Sequence, residues 1–154
     1  MLWFLDNLVT ILVSHADGSD GISVIDALAR RGDSPPCHVH HGEDEAFHVL
    51  EGELVLLVDG KTRRVRAGET LLAPKGVAHT YCVVSEQARW LVVTTNGDFE
   101  RFVRAASRPA GAAELPPPSG PPTAEQQAQL ARLSLGFDIE LIGPPLASEI
   151  ADAA

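Results

Sequence analysis

The first 95 residues alternate between short runs rich in β-branched residues and leucine and stretches of turn-forming residues, as in LVTILVS, HADGSDG, ISVIDALA and RRGDSPP. Apolar runs of strand length at this spacing are typical of an all-β sandwich or barrel. The pair Asp59-Gly60 separates ELVLLV from KTRRVR. An Asp-Gly pair between two strand-like runs predicts a tight β-hairpin. The sequence therefore favours an all-β fold.

The strand predicted before this hairpin is apolar on both faces. Leu54, Leu56 and Val58 share one face, and Val55 and Leu57 share the other. A strand that is apolar on both faces needs a layer on each side. The second layer could come from a second sheet, a terminal segment or a subunit partner.

The pattern changes after residue 95. In NGDFERFVRAASRPA the spacing of Phe99, Phe102 and Val103 predicts a short amphipathic helix that ends near residues 107–109 and covers the end of the barrel. Thr123 and Gln126 form a capping-box pattern, which predicts a helix that ends at Gly136. FDIELIGPPL would be a last short strand or an extended tail.

These patterns divide the chain into three parts. We expect a β-barrel with its flanking helix over residues 1–107 and a proline-rich connection over residues 108–122. A C-terminal helix and tail over residues 123–154 would pack on the barrel.

Composition excludes several partners. A net charge of −9 and only 12 Lys and Arg residues argue against nucleic acid, because phosphate binding needs a clustered basic surface. The apolar start MLWFLDNLVTILV lacks a basic region and is too short to span a bilayer, so we expect no membrane partner and no signal peptide. Two cysteines are too few for a disulfide scaffold and predict reduced thiols in a cytoplasmic protein.

The stretch HVHHGEDE, residues 38–45, contains three histidines and three carboxylates. If it enters a strand, His38 and His40 project to the same side about 7 Å apart, close enough to converge on one ion. Glu45 follows a four-residue loop that lets the chain return to the same point. His79, after the turn at residues 74–76, would complete the set. Three imidazoles and one carboxylate suit a divalent transition metal, namely Fe, Mn, Ni, Cu, Co or Zn.

The neighbouring polar residues are not expected to bind the metal. His41, Glu43 and Asp44 fall in the loop between ligands and should face solvent, with His41 as an alternative ligand. His48 has the opposite strand parity to Glu45 and should face outward.

Two aromatic residues are predicted to bind substrate. Tyr81 lies two residues past His79 and Phe47 lies two past Glu45, so both should point into the same cavity. The Tyr81 hydroxyl could bind a substrate, or its ring could simply fill the barrel. Cys37 and Cys82 alternate with the ligands and should point away from the metal.

The spacing of these residues resembles both sequence motifs of the cupin family. Glycine and proline positions of the motifs are also present, and the only visible departure is Val83, where the family usually has Asn. The full match reads Gly32-x5-His38-x-His40-x4-Glu45-x6-Gly52, then fifteen residues, then Gly68-x5-Pro74-x-Gly76-x2-His79. The segments WFLDNLVTILVS, EDEAFHVLEGEL, APKGVAHTY and TNGDFERF are similar to single-domain bacterial cupins of the quercetin 2,3-dioxygenase-like group.

The resemblance implies a fold and an activity. The fold would be a conical, jelly-roll-like β-barrel of two sheets, a double-stranded β-helix, with a short C-terminal helical extension. The metal would be bound by His38, His40, Glu45 and His79, and homodimers are common in the family. The implied function is a dioxygenase acting on a small aromatic or enolic compound such as a flavonol, with Glu45 as the catalytic base. The alternatives are a metal-dependent cyclase or isomerase of polyketide-like substrates and a non-catalytic cupin that binds a small ligand.

Overall fold

The structure is a computed structural model that describes residues 1–154, apart from the side chain of Glu149. Most of the strands precede the first helix, and all three short helices lie after residue 97. The elements in chain order are β1 (Leu2–Phe4), β2 (Asn7–Val13), β3 (Ser23–Arg30), β4 (Pro36–His40), β5 (Glu45–Glu51), β6 (Glu53–Val58), β7 (Lys61–Arg66), β8 (Thr70–Ala73), β9 (His79–Val83), β10 (Gln87–Thr94), α1 (Asp98–Ala106), β11 (Ser107–Pro109), α2 (Ala124–Leu135), β12 (Ile139–Pro145) and α3 (Ser148–Ala153).

The strands form two antiparallel sheets. The large sheet has 7 strands in the order β11-β1-β2-β3-β10-β5-β8, and the small sheet has 5 in the order β12-β4-β9-β6-β7. Each sheet is a separate hydrogen-bonded unit, so the architecture is a two-sheet jelly-roll. This confirms the predicted all-β, cupin-type fold with short helices at its C-terminal end.

The hairpin predicted at Asp59-Gly60 joins β6 to β7. Asp59 and Gly60 have φ angles of 51° and 73°. Two positive φ angles in a two-residue loop are the mark of a type I′ turn, whose twist matches that of the flanking strands. Val58 therefore pairs with Lys61 and Leu54 with Val65, and the register of the hairpin follows from its turn.

The main hydrophobic core lies between the two sheets. β6 contributes Leu54 and Leu56, both fully buried, and β10 contributes Trp90. The other face of β6 packs against a second, smaller cluster, in which Val55 meets Leu146 and Ala151 from the end of the chain. The sequence predicted that both faces of β6 are covered and left three alternatives for the second layer. The structure shows that this layer is a terminal segment.

The C-terminal elements extend the small sheet. α2 begins at a capping box formed by Thr123 and Gln126 and has Gly136 as its C-terminal cap, as predicted. β12 then pairs with β4, with Ile139 opposite His40 and Leu141 opposite His38. The FDIELIGPPL segment is therefore a strand of the small sheet and lies beside the histidines. None of the helices that the structure describes is long and apolar enough to cross a membrane.

Candidate metal centre

The structure brings the four predicted ligands together between the sheets. One potential ligand atom from each of His38, His40, Glu45 and His79 lies within 4.8 Å of the others. β4 and β9 of the small sheet supply the histidines, and His38 is the cross-strand partner of His79. Glu45 begins β5 of the large sheet. All four residues are buried, and His38 is the most exposed at 9%.

The orientation of each imidazole is fixed through its Nδ1 atom. Nδ1 of His38 lies 2.7 Å from the carbonyl oxygen of Pro36, and Nδ1 of His79 lies 3.0 Å from that of Val77. A carbonyl can only accept a hydrogen bond, so Nδ1 of each ring carries the proton. Nε2 is then the nitrogen of each ring that is left to face the cluster, the arrangement found in metal-binding histidines.

Glu45 lies where the imidazole nitrogens converge. Its Oε2 atom is 2.8 Å from Nε2 of His79 and 3.3 Å from Nε2 of His40. Among the described residues, no hydrogen-bond partner satisfies Nε2 of His40, although this atom is buried. A buried imidazole nitrogen without a partner normally needs an explanation such as a bound ion. The donor set, three imidazoles and one carboxylate, fits a divalent transition metal.

The electrostatics of the cluster suit a cation. Burial, together with the neighbouring His79 and His40, lowers the pKa of His38 to about 3. Burial alone would raise the pKa of the Glu45 carboxyl, but the electrostatic attraction of His40 and the hydrogen bond and attraction of His79 outweigh it, and the pKa falls to about 2. His38 is thus neutral and Glu45 ionised at neutral pH, which are the protonation states a metal requires.

One of the polar neighbours was wrongly predicted. Glu43 does not face solvent; it is buried, at 1% exposure, and its Oε1 atom lies 3.0 Å from Nδ1 of His40. His41 is exposed and pairs with Glu140 at 2.8 Å, and His48 is turned toward Thr70, as strand parity predicted. Asp44 is half-buried and accepts a hydrogen bond from the Lys75 backbone.

Glu43 is buried because it caps α1 from a distance. The N-cap residue of α1 is Gly97, which has no side chain to satisfy the first backbone N–H groups. The Glu43 carboxylate accepts hydrogen bonds from the backbone nitrogens of Asp98 and Phe99 instead. The glycine N-cap was the one sequence signal that such a remote acceptor exists.

Aromatic side chains surround the candidate metal centre. The ring centroid of Phe47 lies 6.2 Å from that of His79 and 6.1 Å from that of Tyr81, so both predicted substrate-binding residues face the space between the two sheets. Phe99 of α1 lies against His40 at a centroid distance of 5.7 Å. The Tyr81 hydroxyl donates to Oδ2 of Asp33 at 2.9 Å. The sequence placed Asp33 in a turn-forming stretch and did not predict this contact.

The two cysteines lie away from the cluster. Cys82 packs with Val55 and Leu146 on the outer side of the small sheet. The Cβ atom of Cys37 lies near Gly143 of β12. Both cysteines are free thiols in the part of the chain that the structure describes.

Comparison with protein families finds a cupin domain over residues 27–94. This span contains all four clustered residues. Among curated proteins, the quercetin 2,3-dioxygenase of Bacillus subtilis is 27% identical over 110 residues, which make up 71% of this chain and 33% of the dioxygenase. The chain thus spans only about one third of that enzyme. An uncharacterized protein of Streptomyces coelicolor is 33% identical over 75 residues, 49% of this chain and 67% of that protein.

A solved structure of similar architecture comes from a different enzyme class. The polyketide cyclase RemF of Streptomyces resistomycificus superposes with a TM-score of 0.51 at 27% identity. The superposition covers 59% of this chain and 70% of the cyclase.

Proposed function

This chain belongs to the cupin family, and we propose that it is a metal-dependent enzyme of the dioxygenase type that oxidises a small aromatic or enolic compound, such as a flavonol. The observation that carries the proposal is the buried cluster of three imidazoles around one carboxylate oxygen. The similarity to a quercetin 2,3-dioxygenase over 71% of the chain supports the reaction class.

His38, His40, Glu45 and His79 would hold the metal through the Nε2 atoms and one carboxylate oxygen. A divalent redox-active ion bound there would lower the pKa of a coordinated enol or phenol and supply the redox chemistry with O2. Iron, manganese, nickel, copper and cobalt fit this role. Zinc fits the same donors but has no redox chemistry.

The protein residues then have distinct tasks. Glu45 accepts the proton of the enol or phenol, because it is the one carboxylate among the four clustered residues. Phe47, Tyr81 and Phe99 form an aromatic wall next to the cluster. Such a wall binds the flat face of an aromatic substrate and excludes water from the reacting atoms.

The second candidate function is a metal-dependent cyclase or isomerase acting on a polyketide-like substrate. The likeness to a polyketide cyclase at 27% identity supports it. The same cluster with zinc would act as a Lewis acid, and Glu45 would still move a proton. The two candidates therefore differ in the metal and in the need for oxygen.

Metal analysis of protein purified without added metal, together with oxygen uptake in a flavonol panel, tests the proposal. Oxygen consumed in proportion to product, with one redox-active ion per chain, is the expected result. Zinc at full occupancy and product formed without oxygen would favour the cyclase. A tight ligand recovered unchanged from protein without turnover would point to a non-catalytic binding protein.

Single substitutions test which residues of the cluster bind the metal. We expect His40→Ala and His79→Ala each to lose most bound metal, whereas His48→Ala, on the opposite face of β5, keeps it. Glu45→Gln should reduce turnover at least about 100-fold even where some metal remains, since an amide can coordinate weakly but cannot accept the proton. Equal metal content in the three histidine variants would refute the assignment.

We further propose that the protein acts as a cytoplasmic homodimer on a small-molecule substrate. The two free thiols are compatible with a reducing compartment. Leu12 in β2 and Leu72 in β8 are 53% and 51% exposed, and we expect a second copy to cover at least one of them. Sedimentation equilibrium would distinguish a dimer from the monomer of 16.4 kDa.

A further inference from the structure

The Glu43 side chain joins the candidate metal centre to α1. Its Oε1 atom lies 3.0 Å from Nδ1 of His40 and 2.6 Å from the backbone nitrogen of Phe99. Its Oε2 atom lies 3.1 Å from the backbone nitrogen of Asp98. Glu43 is 1% exposed, so these three donors replace the water that an ionised carboxylate would otherwise need.

The first turn of α1 surrounds the Glu43 carboxylate with hydrogen-bond donors. The first backbone N–H groups of α1 point at Glu43, and the positive end of the helix dipole stabilises a negative charge there. Gly42 brings the loop close to the helix, because a side chain at that position would collide with the Asp98 carboxylate. The loop therefore lies in close contact with the first turn of the helix.

The contact with His40 has a direct consequence for the ring. Glu43 accepts the proton of Nδ1, so the Nε2 lone pair of His40 faces the cluster. This is the nitrogen that has no hydrogen-bond partner among the described residues. A carboxylate bonded to the distal nitrogen of a metal-binding imidazole fixes the tautomer and raises the basicity of the ring.

We propose that Glu43 is a positioning residue that holds Nε2 of His40 toward the metal and ties this ligand to the first turn of α1. This inference rests on the proposed metal site. The same turn carries Phe99, whose ring lies against that of His40. One carboxylate thus sets the position of a metal ligand and of an adjacent aromatic wall residue.

The experiment compares Co²⁺ binding by the full-length wild type and four variants, by competition with a chelator and by the visible absorption of bound Co²⁺. Glu43→Ala should bind Co²⁺ about 10- to 100-fold more weakly and with a changed spectrum. Glu43→Gln should recover part of the affinity, because its amide oxygen can still accept the Nδ1 proton of His40.

Two controls separate positioning from general damage. Asp44→Asn removes the charge of the neighbouring loop carboxylate. Arg104→Ala removes the ion pair between Arg104, in the last turn of α1, and Glu100. Both should bind Co²⁺ as the wild type does. Wild-type affinity and spectrum in Glu43→Ala would overturn the inference, as would an equal loss in Arg104→Ala, since helix stability would then be the cause.

The outcomes also separate this role from the proposed function. Absence of Co²⁺ binding by the wild type would overturn the metal site and the role of Glu43 together. Binding by the wild type and equally by Glu43→Ala would overturn only the role of Glu43.

Discussion

Asp33 is a half-buried acid that lies outside both sheets and is hydrogen-bonded to a residue of each. It accepts a hydrogen bond from the Tyr81 hydroxyl of the small sheet at 2.9 Å. With the Asn7 amide assigned the orientation in which its nitrogen faces Asp33, Asn7 of the large sheet also donates to it at 3.1 Å. Burial raises the pKa of Asp33 from 3.8 to about 6, with these two hydrogen bonds opposing the shift and Asp6 adding to it. The folded chain therefore binds the Asp33 proton more tightly than the unfolded chain does.

This shift predicts a pH-dependent stability. The stability that Asp33 contributes is complete below pH 3.8 and is lost as the pH rises through about 6. Asp33→Asn does not titrate, so its free energy of unfolding should increase relative to that of the wild type between pH 4 and pH 7, by about 1–3 kcal/mol. Urea unfolding at several pH values measures the difference. Asp20→Asn, in an exposed loop, is the control; curves for Asp33→Asn that stay parallel to the wild type would contradict the shift.

At the scale of residues, the sequence predicted the direction of side chains in strands but not the direction of a side chain in a loop. His38, His40 and Tyr81 lie in strands, where a side chain's face follows from its position. Glu43 lies in a loop, where parity has no meaning, and its partners Asp98 and Phe99 are 55 and 56 residues away. Its burial depends on a tertiary contact that no local pattern specifies.

At the scale of elements, the end of the chain completes the small sheet. Leu146 is 7% exposed and packs with Val55 and Cys82 on the outer face of that sheet. Nearby, β12 pairs with β4 beside the histidines. The apolar pattern of β6 predicted that this face is covered. It could not identify the cover, because many apolar segments can bury the same surface.

This packing predicts that the tail contributes to folding stability. Leu146→Ala should lower the free energy of unfolding by about 2–4 kcal/mol, since it removes buried methyl groups and leaves a cavity. Ile150→Ala, in α3 but 56% exposed, should change it by less than about 0.5 kcal/mol. Urea unfolding of the two variants provides the test. Equal effects would mean that the tail does not pack on β6 in solution.

At the scale of elements, local signals located helices better than strand partners. The capping box placed the start of α2 at Thr123, because the two reciprocal hydrogen bonds lie within four residues. A strand at β12 was one of two options, the other being an extended tail, since its short apolar run includes Gly143 and the prolines at 144 and 145. Its pairing with β4 spans about 100 residues of sequence and follows from the completed core, so the chain pattern alone did not determine it.

At the scale of the whole molecule, the candidate metal centre links the two sheets. Glu45 comes from the large sheet, and His38, His40 and His79 come from the small sheet. The resemblance predicted this arrangement, because the two motifs lie on strands that only the complete fold brings together. A metal bound there would contact both sheets at once and would bind the folded chain far better than the unfolded one.

Metal should therefore raise the thermal stability of the entire fold. At a free metal concentration 100 times the dissociation constant, binding adds about 2.7 kcal/mol. For a chain of this length, that raises Tm by about 5–10 °C. Calorimetry of protein stripped with chelator and then reloaded with Co²⁺ measures the increase. Leu146→Ala should start from a lower Tm but show the full increase, because its defect lies outside the centre. His40→Ala should show little increase, and an increase equal to that of the wild type would mean that the ion binds elsewhere and that the cluster between the sheets does not hold it.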